Sequence, residues 1–410
     1  MVRLGANWIL VGFSVLTIIS YYYSFIAKRF NIPSVILLIA TGIGLNQILT
    51  SFDAKVVSFS PWLEILGMTG IVLIVLEAAL DIKFKKDTIP LIIQVVTSSV
   101  MLIVVTTAII SGMFHYFLHI PIHSAIVYAI PLSIMSSAIV IPSITHLSEK
   151  VRTFLMLEAA FSDVFGIVLF YTFVRIQSFD RIFPTLGYSI GKLILSIGLS
   201  VLLCLIILFI YQRLKLQGRV FLIISVLLGI YALGELMHFS PLIMILLFGL
   251  ILNNRQFLLH PIFSKIGKNE GFNEVLDQFK FIISESSFLL RTIFFTVFGM
   301  SIDLSNLGEA NVYVVSLLVV TVLYCIRFFN LKIFRAKNIF PELFIAPRGL
   351  ITILLYLSVP DILQHEAIKP LMVFVIIAIT SLVMMAALIG SGNSQLYQKT
   401  LEFKKRGYNN

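Results

Sequence analysis

The stretch LEAAFSDVFGIVLF, residues 157–170, places two carboxylates inside a run of apolar side chains. Neither Glu158 nor Asp163 has a lysine or arginine beside it within this stretch. An ionised carboxylate in apolar surroundings is costly unless it is paired or faces water. The stretch therefore indicates a buried helix whose carboxylates have partners elsewhere in the chain, or a function of their own.

The composition identifies the apolar surroundings as a lipid bilayer. Of the 410 residues, 59% are hydrophobic and only 12% are charged, far from the average of soluble domains. Apolar runs of about 20 residues, the length that a helix needs to cross a bilayer, recur along the chain. The sequence predicts an all-α polytopic membrane protein, and the net charge of +10 is not interpreted as nucleic-acid binding.

The breaks between the apolar runs predict thirteen transmembrane helices. They lie near 7–27, 33–49, 62–80, 90–118, 122–146, 153–175, 188–211, 219–237, 240–253, 284–301, 311–333, 342–360 and 367–391. We expect one membrane domain over residues 1–391 and a short cytoplasmic tail at 392–410.

Basic residues are distributed unequally between the two sides of these spans. Of the 30 lysines and arginines, 21 follow odd-numbered spans, 6 lie on the opposite side and 3 lie within or at the edge of spans. Because cytoplasmic loops carry an excess of Lys and Arg, the N-terminus is predicted outside and the C-terminus inside. The expected location is the cytoplasmic (inner or plasma) membrane.

Residues 267–283, GKNEGFNEVLDQFKFII, have a different pattern. Their apolar residues recur at helical spacing, with charges between them: Phe272, Val275, Leu276 and Phe279. This pattern predicts an amphipathic helix at the cytoplasmic surface that links two halves of the protein.

The two carboxylates of the first stretch are expected to have different roles. Five residues apart on a helix, Glu158 and Asp163 are rotated by about 140° from each other. Glu158 is predicted to form a buried ion pair that fixes helix packing. Loss of hydration penalises a charged Asp163, so this side chain can hold a proton and release it to a cation. Glu77, in the third span, either lines a cavity or is paired.

Two predicted spans contain backbone breaks. The fifth includes Pro131, Ser136, Ser137 and Pro142, and the twelfth has the sequence APRG around Arg348. Interrupted helices in corresponding places of two halves are typical of inverted-repeat transporters, whose site lies at the crossing. A charge such as Arg348 can compensate the partial charge of a half-helix end. The alternative is an ordinary proline kink packed by serines.

Four stretches of the sequence resemble the monovalent cation/proton antiporters, particularly the branch related to sodium/proton exchangers. They are AKRFNIPSVILLIATGIGLN, LEAAFSDVFGIVLF, LGELMHFSPLIMILLFGLILNN and APRGLITI. The resemblance covers about residues 25 to 390 and implies the sodium/proton antiporter fold, with inverted repeats and two broken crossing helices. It also implies a homodimer, with a moving core near 90–175 and 284–360 and a scaffold formed by the remaining helices.

The resemblance implies an ion- and proton-binding group around Asp163, which resembles the binding aspartate of the family. Ser162 occupies the position of the usual asparagine, and Ser136 and Ser137 stand where the family often has Thr-Asp. We add Glu77 as a further candidate of this group. The replacement of Asn and Asp by serines leaves the choice among Na⁺, K⁺ and Li⁺ open.

Glu158 resembles a structural glutamate that pairs with an arginine of the eleventh helix, here Arg327, and Arg348 resembles the arginine of the broken twelfth helix. The implied function is proton exchange for Na⁺ or K⁺, with no cofactor besides the transported ions. The alternatives are a sodium-coupled organic-anion symporter and a cation channel. An intramembrane aspartyl protease is excluded, because two aspartates must share a proton in that chemistry and Asp163 has no second deep aspartate beside it.

Overall fold

A computed structural model provides the structure of the chain. It describes residues 6–30, 34–51, 60–82, 89–144, 147–174, 176, 187, 191, 194–196, 198–206, 219–236, 241–255, 270–302, 309–335 and 339–407. All regular secondary structure in these ranges is helical.

The helices of the first part of the chain are α1 (Ala6–Phe30), α2 (Ser34–Ser51), α3 (Ser60–Asp81), α4 (Ile89–Leu118), α5 (Ile122–Ser133), α6 (Ser137–Ser143) and α7 (Glu149–Val174). An apolar helical stretch, Ile194–Ile206, follows α7. The later helices are α8 (Arg219–Leu236), α9 (Pro241–Asn253), α10 (Glu270–Met300), α11 (Ala310–Arg335), α12 (Leu350–Leu357) and α13 (Pro370–Gly407), with a 3₁₀ turn at Asp361–Leu363.

The predicted all-α membrane fold is confirmed. Helical residues lie within each predicted span, although the twelfth is helical only over Leu350–Leu357 and parts of the seventh lie outside the described residues. Within the described ranges, seven helices are long and apolar enough to cross a membrane. The predicted segment 267–283 begins outside the described residues, and from Glu270 it continues into the next span as the single helix α10. The helix α13 likewise runs to Gly407, through most of the predicted tail.

The helices form two packing groups. In the first group, α4 packs against α5, α7 and α11, and α11 packs against α13. In the second group, α10 packs against α2 and α3, while α9 packs against α3 and α8. The helix α3 borders both groups, because it also contacts α6, α7 and α12. Its Val75 and Ala79 belong to the large apolar cluster, which contains residues of both groups, and its Leu76 and Leu80 belong to a smaller cluster within the second group.

The helices α2 and α10 cross at two glycines. A Cβ atom at Gly42 would lie 2.0 Å from the carbonyl oxygen of Thr296, and one at Gly299 would lie 2.2 Å from that of Ile39. Small residues allow helix backbones to approach closely in membranes. These two glycines therefore fix the position of α10, which carries an ion pair discussed below.

Candidate functional site

Two interrupted segments meet within the first packing group. The first is the break between α5 and α6, residues 134–136, and the second is the extended chain 345–349 before α12. The backbone N–H of Ser136 donates to the carbonyl of Pro347 at 3.0 Å. A Cβ atom at Gly349 would lie 2.5 Å from Ser136 Oγ. The two breaks are therefore in direct contact.

The backbone conformation accounts for both breaks. Ile134 and Ser136, the two ends of the first break, have extended backbones with ψ values of 132° and 113°. In the second segment, Pro347 disfavours the α conformation at the preceding Ala346. Helical hydrogen bonding consequently stops at both places, and backbone groups inside a membrane then need other partners.

Asp163 of α7 lies against the first break and is 4% exposed. Ser137, the first residue of α6, donates its backbone N–H to Asp163 Oδ2 at 3.2 Å, and its hydroxyl donates to the same oxygen. Asp163 Oδ1 has no hydrogen-bond partner among the described residues. The carboxylate is thus held from one side by a serine and has no arginine or lysine partner there.

Two more serines stand at the same break. Ser162 Oγ accepts the backbone N–H of Met135 at 2.9 Å, so it supplies a partner to the interrupted backbone. Ser136 is 2% exposed, and its hydroxyl is a second buried oxygen without a partner in the described structure. The described part of the chain contains no group of three or more His, Cys, Asp or Glu residues placed to hold a metal ion.

Glu158, one turn before Ser162 on α7, forms an ion pair with Arg327 of α11. The distance from Arg327 Nη2 to Glu158 Oε2 is 3.0 Å, and the two side chains are 2% and 0% exposed. Arg327 also donates to the carbonyl of Glu342, from Nε at 3.0 Å and from Nη2 at 2.9 Å. The guanidinium therefore joins α7, α11 and the turn before the second break.

Sequence reasoning missed a second ion pair, between Arg335 and Glu342. Glu342 stood at the edge of a predicted span, where a charged residue usually reaches the membrane surface. In the structure it is 1% exposed, and the guanidinium of Arg335 lies 4.6 Å above the ring of Phe154. The position of Glu342 directly after Pro341, six residues before Arg348, was the available signal.

Arg348 lies in the second break and bonds to backbone carbonyls. Its Nε donates to Leu132 at 2.7 Å and its Nη1 to Ala346 at 2.7 Å, while its own N–H donates to Thr380 Oγ1 at 3.1 Å. Leu132 lies in the last turn of α5, whose carbonyls lack helical donors. The positive charge is thus placed at the negative end of a half-helix.

Glu77 has hydrogen-bond partners on α10, away from the group of serines. Arg291 donates to both carboxylate oxygens of Glu77, at 3.0 and 3.4 Å, and Ser284 donates to Oε1 at 3.2 Å. These contacts agree with the paired alternative for this residue. The structure therefore brings Asp163 together with the three predicted serines, whereas Glu77 is bonded elsewhere.

Fold and site together describe a polytopic membrane protein built around two crossing interrupted helices, the architecture of secondary transporters. The sequence matches the family described as "Sodium/hydrogen exchanger, transmembrane" over residues 14–389. The chain therefore belongs to the sodium/hydrogen exchanger family, as the resemblance predicted, and is a multi-pass cation/proton antiporter. The family is one of transporters.

Solved structures extend the likeness to the whole fold. A structure of the sodium proton antiporter MjNhaP1 from Methanocaldococcus jannaschii at pH 8 has a TM-score of 0.69 and 19% identity, covering 93% of this chain and 95% of that one. An electron-microscopy structure of the same antiporter has a TM-score of 0.70 and 18% identity, covering 97% and 98%. A search of curated protein sequences finds no match.

Proposed function

We propose that this antiporter exchanges one proton for one Na⁺ or K⁺, and that Asp163 binds the proton and the cation in alternation. The observation that carries the proposal is the surroundings of Asp163. It is a buried carboxylate at the crossing of two interrupted segments, with a serine on one oxygen and no partner from the described residues on the other.

The chemistry of alternation follows from these surroundings. A negative charge in a low-dielectric site is costly unless it is neutralised. Either a bound proton or a bound monovalent cation neutralises Asp163, and the two compete for the same carboxylate. The serine hydroxyl and the N–H of Ser137 stabilise the anion while one ion is exchanged for the other.

Oxygen ligands for the cation are available at the break. Carbonyl, hydroxyl and carboxylate oxygens replace the hydration shell of alkali cations in proteins. We propose Asp163 Oδ1 and Ser136 Oγ as cation ligands, because both are buried oxygens that lack other partners in the described structure. Ser162 is assigned a supporting role, since its hydroxyl is bonded to the backbone of Met135.

A one-for-one exchange follows from the charges that remain. Glu158 is neutralised by Arg327, Glu77 is neutralised by Arg291, and Ser162 brings no charge. One exchangeable carboxylate carries one proton in one direction and one cation in the other, so the exchange is electroneutral. Competition between the two ions also gives a bell-shaped dependence of activity on pH, because protons displace the cation at low pH and are too scarce at high pH.

Alternating access requires that the crossing be exposed to one side of the membrane at a time. The sequence predicts a moving core near 90–175 and 284–360. We propose a modified division, in which α4–α7 and α11–α13 move against the group that contains α2, α3 and α8–α10, because α10 packs against α2 and α3 and α13 packs against α11. The proposal includes a homodimer in the cytoplasmic membrane, with the N-terminus outside and the C-terminus inside.

The proposal is tested with purified protein in liposomes. Proton movement is recorded under gradients of Na⁺, K⁺ or Li⁺, each with and without an imposed membrane potential. We expect at least one of these cations to drive proton movement, at a rate that does not respond to the potential when the pH gradient is held at zero. Proton movement without a cation requirement, or a rate that follows the potential, would contradict the proposal.

A further inference from the structure

The pair of Glu77 and Arg291 differs from the other ion pairs of the membrane-spanning helices. Its side chains are 18% and 21% exposed, whereas those of Glu158 and Arg327 are 0% and 2% exposed. Arg291 lies well inside the membrane-spanning stretch Asn273–Met300. Ionised groups at such depth face the interior of the bundle or a water-filled cavity. We therefore place this pair at the edge of an aqueous space and not in contact with lipid.

The helix that carries Glu77 borders the ion-binding site. On one side α3 packs against α10, which supplies Arg291, and on the other it contacts α6, α7 and α12. Those three elements include Ser137, Asp163 and the residue after the second break. A carboxylate of α3 that is released from α10 is therefore next to the elements that surround Asp163.

Glu77 and Asp163 are both carboxylates within membrane-spanning helices, and they have different partners. Asp163 has neutral partners that contribute an N–H and a hydroxyl. Glu77 has a guanidinium on both oxygens and a hydroxyl from Ser284. Arg291 thus occupies, as a tethered cation, the place that a transported cation or a proton would take.

From this contrast we infer that Arg291 determines the stoichiometry of exchange, by holding Glu77 neutralised and so keeping a second carboxylate out of the transport cycle. The inference rests on the proposed one-for-one exchange at Asp163. It assigns Arg291 a role in transport that neither the family match nor the sequence pattern indicates.

The charges can be counted for the protein with Arg291 and for the protein without it. With Arg291 in place, Asp163 with a bound proton or a bound cation is neutral, the Glu77–Arg291 pair is neutral, and no net charge crosses the membrane. Without Arg291, two carboxylates carry two protons in one direction and share one cation in the other. One positive charge then moves across the membrane in each cycle.

Two other carboxylates lie near the pair in the sequence of α3 and α10. Asp81 follows Glu77 by one turn of α3, at the end of that helix. Glu285, the residue after Ser284 on α10, accepts a hydrogen bond from Tyr21 of α1 at 2.6 Å. Arg291 alone supplies both of the guanidinium hydrogen bonds to Glu77 that the described residues show.

The test measures stoichiometry, which a purely structural defect does not change. In liposomes, the cation gradient is varied until a fixed pH gradient produces no net proton movement. This null point is determined with and without a membrane potential imposed by a permeant anion. The variants are Arg291→Gln, Arg291→Lys, and the double variant Glu77→Gln/Arg291→Gln. Arg152→Gln, at an exposed arginine of α7, is the matched control.

We expect the null points of the wild type, Arg291→Lys, the double variant and the control to be the same with and without the membrane potential. For Arg291→Gln we expect a null point that shifts with the potential, as two protons per cation require. An unshifted null point in active Arg291→Gln overturns the inference. If Arg291→Gln is inactive, the double variant decides: restored one-for-one exchange supports the inference, and an inactive double variant overturns it. A shifting null point in the wild type instead contradicts the proposed one-for-one exchange.

Discussion

Asp163 and Glu158 lie five residues apart on the same helix, and their surroundings are opposite. Glu158 is fully buried against Arg327, which is itself fixed to the carbonyl of Glu342. Asp163 is also buried, but among the described residues its hydrogen bonds come from Ser137 alone, two of them to one oxygen. Depth in the membrane therefore does not by itself make a carboxylate functional. The presence or absence of a fixed cation decides whether it serves packing or is free to bind an exchangeable ion.

The largest expected effect is that of Asp163→Asn. An amide cannot release a proton or neutralise a cation, so cation-driven proton movement in liposomes should fall to the level of protein-free vesicles. Asp361→Asn is the matched control, because Asp361 is exposed in the 3₁₀ turn and its loss should leave the rate unchanged. Wild-type rates in folded Asp163→Asn would show that the ions bind elsewhere.

The second largest effect is expected for the ion pair of Glu158 and Arg327. Glu158→Ala leaves the guanidinium of Arg327 buried without its carboxylate, which destabilises the fold by about 3–5 kcal/mol. Thermal unfolding in detergent measures this change. The double variant Glu158→Gln/Arg327→Met removes both charges and should be less destabilised than Glu158→Ala. Unchanged unfolding of Glu158→Ala would mean that the pair contributes nothing.

A third prediction concerns the crossing that positions Asp163. In Gly349→Ala the new Cβ would lie 2.5 Å from Ser136 Oγ and 2.8 Å from Ile139 Cδ1. Overpacking of this kind costs about 1–3 kcal/mol and should also slow exchange by displacing Ser136. Gly390→Ala is the control, since its nearest atom would be 3.8 Å away. Equal unfolding temperatures and exchange rates for the two variants would show that the crossing is loosely packed.

The smallest effect is expected for Ser137→Ala. A hydrogen bond to a charged group contributes about 1.5 kcal/mol, so loss of the hydroxyl should weaken the apparent affinity for the cation about tenfold. The backbone N–H of Ser137 remains as a donor, and for that reason the maximal rate should change less than the affinity. Ser143→Ala removes a hydroxyl of the same helix that is bonded to the backbone of Ile139, and it should leave the affinity unchanged.

Much of the fold could be predicted from the sequence because the bilayer imposes a length and a composition on each helix. The apolar runs predicted the helices that the described residues show, and the prolines and glycine around 131–142 and 347–349 predicted the two breaks. The extent of α10 was less accessible. Its amphipathic first half predicts a surface helix, and nothing in the pattern indicates that the helix continues without a break into the membrane.

The candidate site was less predictable, because contacts between distant helices decide it. The isolated Asp163 could be selected from its apolar neighbours alone. The partner of Glu77 could not, since Arg291 lies 214 residues away along the chain and is one of several intramembrane arginines. Glu342 was missed because a charged residue at a predicted helix end normally reaches water, whereas here Arg335 and the turn before the second break bury it.

The most direct test of the proposed role of Asp163 is the number of protons released when the cation binds. Purified protein in weakly buffered detergent solution is titrated with Na⁺ or K⁺ at a series of pH values, while a pH indicator records proton release and calorimetry records binding. If the proton and the cation compete for one carboxylate, wild-type protein releases up to one proton per bound cation, and Asp163→Asn releases none. Cation binding without proton release at every pH, or undiminished release from Asp163→Asn, would contradict the account.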